Sequence, residues 1–176
     1  MKNSSRELKD ISMPAEKADF HYNNSLTWKQ NASAAKRWMK GWLNISERDP
    51  AVFGPKFWKM LHVMCSQFPE AEDMKNGDEE VASNFIYDFL NNIPCASCRN
   101  DFGLILSRLP SPPLKYAKFG KTSLFFLSYM LHNYVTEKVY PGRPMPKFTE
   151  VCAQYNVNPD KLPERPKSIL KEIGLW

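Results

Sequence analysis

A chain of 176 residues, 43% hydrophobic and 13% aromatic, can bury one sizeable core, so one domain with extra terminal segments is the natural expectation. The net charge of +5 is modest, and Lys and Arg are interspersed with Asp and Glu, which argues against a nucleic-acid surface. Residues 1–18 hold no apolar run, so no secretory signal is expected, and the most apolar stretch, 122–135, is too short to span a bilayer and is interrupted by His132 and Asn133.

Residues 1–24 are polar and aperiodic, and read as a loose arm. A helix is predicted over 25–43, with Ser25 as its cap and Trp28, Ala32, Ala35, Trp38, Met39 and Trp42 at helical spacing; it is expected to dock on its own domain. Pro50 interrupts the pattern. A second helix over 55–68 takes Pro55 in its first turn and lines up Trp58, Leu61, His62, Cys65 and Phe68 on one face. The third, 78–91, opens on three acidic residues that suit the helix dipole. The fourth runs over 95–109, with Phe102, Ile105, Leu106 and Leu109 inward. A loop is expected from there to Gly120, followed by an apolar helix over 122–139 that Pro141, Gly142, Pro144 and Pro146 terminate. A short helix at 148–155 follows, then a Pro-rich tail, 158–176, with one helical turn at 168–173. No β-alternation and no repeat appears, so the chain is expected to be all-α: an N-terminal arm and helix over 1–50, a four-helix bundle with a short extra helix over 51–157, and the tail.

Four cysteines in this length are too few for a disulfide-stapled scaffold, and Cys95 and Cys98 form the one close pair, a C-x-x-C after Pro94. At a helix start, unpaired amides and the positive dipole end lower a thiol's pKa, and Arg99 adds charge; thiol–disulfide exchange needs the resulting thiolate. The spacing alone leaves a zinc half-site open, completed by His62, His132, Cys65 or Cys152. A thioredoxin-like setting is disfavoured because helix, not strand, is predicted ahead of the pair. Cys65, mid-helix on an apolar face, is expected to be buried and inert, and Cys152 to be a free or packing thiol. The aromatic content leaves room for a planar cofactor, although an aromatic core explains it as well.

Three segments in order resemble the ERV/ALR family of FAD-linked sulfhydryl oxidases: Phe53-Gly54-Pro55-Lys56-Phe57-Trp58 running on to Leu61-His62, with Phe68-Pro69 beyond; Ile93-Pro94-Cys95-Ala96-Ser97-Cys98 with Asp101-Phe102; and His132-Asn133-Tyr134-Val135-Thr136, leading to Lys147-Phe148. The first is worded most like minimal virus-encoded members. Thr136 stands where the family usually has Asn, and the further structural disulfide common in cellular members has no counterpart. The resemblance implies a helical bundle around FAD, commonly a homodimer, and a thiol oxidase that passes electrons from a protein dithiol or a thioredoxin-like carrier to O2, giving H2O2. Cys98 would face the flavin and Cys95 would meet the substrate, directly or through a separate carrier, since residues 1–50 hold no shuttle cysteines. The cofactor would be contacted by Gly54, Lys56, Trp58, His62, His132, Asn133, Val135, Thr136, Lys138, Lys147 and Phe148. A virus-encoded member would work in host cytoplasm or virion, a cellular one in the mitochondrial intermembrane space. The spacing agrees: Trp58 and His62 share a helix face suited to a flat ligand, His132, Val135 and Thr136 share another, His132 and Asn133 suit adenine or ribose, and Lys138 and Lys147 a pyrophosphate. A zinc-binding interaction module and an inactive helical scaffold are the rival expectations.

Overall fold

The computed structural model describes residues 18–45 and 47–176. These form eight α-helices and two 3-10 turns, with no strand among the described residues. The helices are α1 (Trp28–Leu43), α2 (Pro50–Ser66), α3 (Asp78–Asn91), α4 (Ala96–Ser107), α5 (Pro113–Lys118), α6 (Lys121–Val139), α7 (Phe148–Gln154) and α8 (Glu164–Glu172). None is long and apolar enough to cross a membrane.

Helices α2, α3, α4 and α6 surround one core, and α6 is its most enclosed member, with an unbroken buried run from Thr122 to Tyr129. Phe57, Phe85, Phe89, Phe102 and Phe125 meet there with Leu61 and Leu124, all buried. Burying such side chains stabilises the fold by about 1.5–3 kcal/mol each. Helix α1 lies across α2 and α3. A Thr27–Gln30 capping box starts it, Met39 and Trp42 are fully buried, and the Trp28 indole N–H donates to the Met64 carbonyl (2.8 Å).

Four expectations need correction. Helix α2 begins at Pro50, not Pro55, because the Asp49 carboxylate caps the Ala51 amide and Pro50 fits the first helical position. Pro55, one turn in, withholds a single amide and is absorbed. The expected loop before Gly120 contains α5, whose Pro113 and Ala117 are buried against α3 and α6. The tail is not one turn but α8, fastened through Leu162, Leu170 and a Phe148 N–H to Leu175 carbonyl bond (2.7 Å). The loose arm is anchored from residue 18 on: the Trp38 indole donates to the Ala18 carbonyl, Phe20 lies edge-on to Trp38, and Asp19 pairs with Lys56 (2.8 Å) and Lys59 (3.6 Å). The rest of that reading lies outside the described residues.

One glycine is dictated by its surroundings. Gly120 holds φ +84° at the start of α6, where a Cβ would collide with the backbone of Ala71, and the adjacent Lys121 amide donates to the Pro69 carbonyl (2.9 Å).

Candidate active site

Cys95 is the N-cap of α4, with extended backbone, and it is joined to Cys98 by a disulfide whose Cα atoms are 5.1 Å apart. Both cysteines are partly buried. The Cys98 amide donates to the Cys95 sulfur (3.2 Å), and the Ser97 Oγ is also 3.2 Å from it. A disulfide sulfur carries no proton, so the Ser97 hydroxyl is the donor. Arg99 turns back to donate to the Ile93 carbonyl, which braces the Ile93–Pro94 segment that delivers Cys95.

Four residues beyond Cys98 on the same helix, buried Phe102 lies against Phe89 (5.2 Å between ring centroids) and Trp58 (6.2 Å). Trp58 is stacked on His132, with centroids 4.3 Å apart and planes at 11°, and it runs near-parallel to His62. An aromatic array therefore joins the disulfide helix to the His-bearing faces of α2 and α6.

His62 is buried between those helices, its Nδ1 3.0 Å from the Ser128 hydroxyl and its Nε2 3.0 Å from His132 Nδ1. Burial, with the neighbouring His132, lowers the His62 pKa to about 3. Burial, with Arg143 nearby, lowers that of His132 to about 4. Both rings are neutral at ordinary pH.

His132 also forms one wall of a cleft of about 510 Å3, together with Asn133, Thr136, Arg143, Pro144, Met145 and Pro146. The Tyr129 hydroxyl donates to the Pro146 carbonyl (2.7 Å) and ties the far wall to α6. This is the size of an ordinary small-molecule or cofactor site, and His132, Asn133, Thr136 and Arg143 give its lining polar groups.

Of the residues expected at the site, Trp58, His62 and His132 converge, and Asn133 and Thr136 line the cleft. Val135 is half-buried against the core. Phe148 is fully buried among Phe125, Phe126, Tyr129 and Trp176, so it acts as core. Lys56 is held by Asp19 and Lys138 by Asp101 (2.5 Å); Lys147 is exposed at the start of α7. Gly54 is half-buried, with open space where a Cβ would stand. Arg143 and Ser128 were not anticipated. Arg143 could have been noticed as the cation between the prolines after the His-Asn motif, whereas Ser128 has no signal of its own in an apolar run.

Cys65 and Cys152 are buried, unpaired thiols, and burial pushes both up to about 12. Among the described residues no three His, Cys, Asp or Glu side chains gather as a metal-binding group.

The chain is 33% identical over 58 residues to an FAD-linked sulfhydryl oxidase of African swine fever virus from Kenya, and the match covers 33% of this chain and 47% of that protein. The counterpart from a Namibian isolate is 31% identical over 58 residues, with the same coverage. A protein of Invertebrate iridescent virus 3 named as an FAD-linked sulfhydryl oxidase is 25% identical over 109 residues, 62% of this chain and 69% of its own length. The chain thus spans about half the length (47%) of the swine fever virus relatives it matches. No solved structure is a significant match. The profile of the Erv1/Alr family matches residues 55–156, more than half of the chain and both the disulfide and the cleft, and the chain belongs to that family.

Proposed function

We propose that this chain is an FAD-linked thiol oxidase that forms disulfides in protein substrates. The observation that supports it best is the continuity of the site: Phe102, on the cysteine-bearing helix, touches Trp58, and Trp58 lies flat on His132 at the edge of the cleft. The names of the viral relatives carry the same chemistry.

The residues present fit the cofactor. His132, backed by the Trp58 ring stacked on it, presents an imidazole to the cleft, Asn133 and Thr136 offer donors and acceptors, and Arg143 offers a cation to the pyrophosphate. FAD, when bound, would supply a two-electron acceptor for the reduced cysteine pair and a route from there to O2, with hydrogen peroxide as the product.

The chain's own contribution is thiol exchange. A substrate thiolate attacks the Cys95 sulfur; the Cys95–Cys98 bond breaks, and Cys98 departs as a thiolate. A second substrate thiolate attacks the substrate sulfur of the mixed disulfide, releasing the product disulfide and the Cys95 thiolate. The two substrate protons pass to solvent. Ser97 and the Cys98 amide both donate to the Cys95 sulfur and so stabilise that second leaving group. Cys98 is given the flavin-facing role that the family resemblance implies, and it precedes Phe102 by one helical turn. The substrate is a protein dithiol, or a thioredoxin-like carrier of one.

The test is spectroscopic. Purified protein supplied with FAD is expected to be yellow and to bleach anaerobically with dithiothreitol, while Cys98→Ser stays yellow and does not bleach. Protein that takes up no FAD, or a Cys98→Ser variant reduced at the normal rate, would overturn the reading.

A further inference from the structure

Three hydrogen bonds at the contact of α2 and α6, one within α6 and two between the helices, run in one direction. The Ser128 hydroxyl donates to the Phe125 carbonyl one turn earlier (2.7 Å), which commits its single proton. Toward His62, 3.0 Å away, its oxygen can therefore only accept, so His62 carries its proton on Nδ1 and presents a lone pair on Nε2. His132 Nδ1, 3.0 Å from that lone pair, must donate to it. The proton of neutral His132 is then on Nδ1, and its Nε2 is bare.

The surroundings keep this arrangement. His62 is packed against Trp58 on its own helix, Phe125 and His132 on α6, and Tyr155 after α7. The Cys65 thiol, hydrogen-bonded to the Ser128 side chain, stays protonated, since burial pushes it up to about 12, and so meets the Ser128 oxygen as a donor rather than drawing its proton away. Arg143 opposes protonation of His132. Among the described residues no carboxylate is in hydrogen-bond contact with either ring to draw a second proton onto it.

We propose that Ser128 is a positioning residue that locks His62 and His132 into one tautomer, so that His132 meets the cleft as a hydrogen-bond acceptor and selects a ligand group that donates, such as a purine exocyclic amine or a ribose hydroxyl. The selection rests on the FAD reading above; the tautomer does not. Without the Ser128 oxygen, His62 loses the acceptor for its Nδ1 proton. The stable alternative moves that proton to Nε2, which then donates to His132 Nδ1 and displaces the His132 proton to Nε2. One missing oxygen thereby turns the wall of the cleft from acceptor to donor.

The test uses the full chain with 15N-labelled histidine. Long-range 1H–15N spectra without ligand are expected to show both His62 and His132 protonated on Nδ1, and both switched to Nε2 in Ser128→Ala. Ser128→Thr keeps a hydroxyl and retains the original pattern. FAD titrated into the same samples is expected to bind about tenfold more weakly to Ser128→Ala, with affinity recovered in Ser128→Thr. Unchanged tautomers in Ser128→Ala, or switched tautomers with unchanged FAD affinity, overturn the proposal. Failure of the wild-type chain to bind FAD sinks the flavin reading and the ligand selection with it, while the ligand-free spectra still decide whether Ser128 sets the tautomer.

Discussion

The two imidazoles between α2 and α6 tie the site to the stability of the molecule. Each takes up a proton near pH 6.5 in the unfolded chain, but only near about 3 (His62) or about 4 (His132) in the folded one. Between those values the unfolded state binds more protons, so stability is fully present above pH 6.5 and is lost as pH falls toward 4. The slope is about 1.4 kcal/mol per pH unit from His62, and less from part-exposed His132. Urea midpoints of the FAD-free protein are expected to fall steadily from pH 7 to 4.5, and a flat profile would contradict neutral, buried rings. Trp58, His62, His132 and the cysteine pair were legible in the sequence because each stands in a recognisable local spacing. Ser128 was not legible, because its role exists only once another helix brings His62 to it. Lys56 and Lys138 read as cofactor contacts from their neighbours in sequence, whereas their ion pairs with Asp19 and Asp101, distant in sequence, could not be read there.

Among the elements, those with strong punctuation at both ends were read closely: α3 begins after Gly77 and α7 begins at Phe148, as their sequences imply. Proline was the source of error. It ends one helix and starts the next with equal ease, so Pro50 was taken for a breaker and Pro113 for part of a loop, although both occupy first helical positions. The strongest constraint at this scale is the junction of α5 and α6. Gly120→Ala would force a Cβ into a left-handed backbone and against Ala71 at once. The expected cost is about 3 kcal/mol, measured by urea unfolding, and a loss below about 1 kcal/mol would show that the junction relaxes.

Across the whole molecule, α1 is part of the core. It buries Met39 and Trp42, and Lys36 reaches Asp88 of α3 (3.1 Å). Trp28→Phe keeps the ring contacts with Phe68 and Phe85 but removes the indole bond to Met64. It is expected to lower global stability by about 1 kcal/mol, with fluorescence and circular dichroism still tracing one common transition. An early separate transition would instead mark α1 as an independent flap. A homodimer, which the family resemblance implies, would have to use some face other than the part of α2 and α3 that α1 already covers.

The two unpaired thiols acquire a meaning from the proposed reaction. A catalyst that makes disulfides in its partners is itself exposed to the bond it makes. Cys65 and Cys152 are sealed inside the fold, protonated and out of reach of an incoming sulfur. The folded chain is thereby immune to its own product: the one disulfide it can offer or re-form is the pair at the head of α4, and every exchange it enters has to begin there.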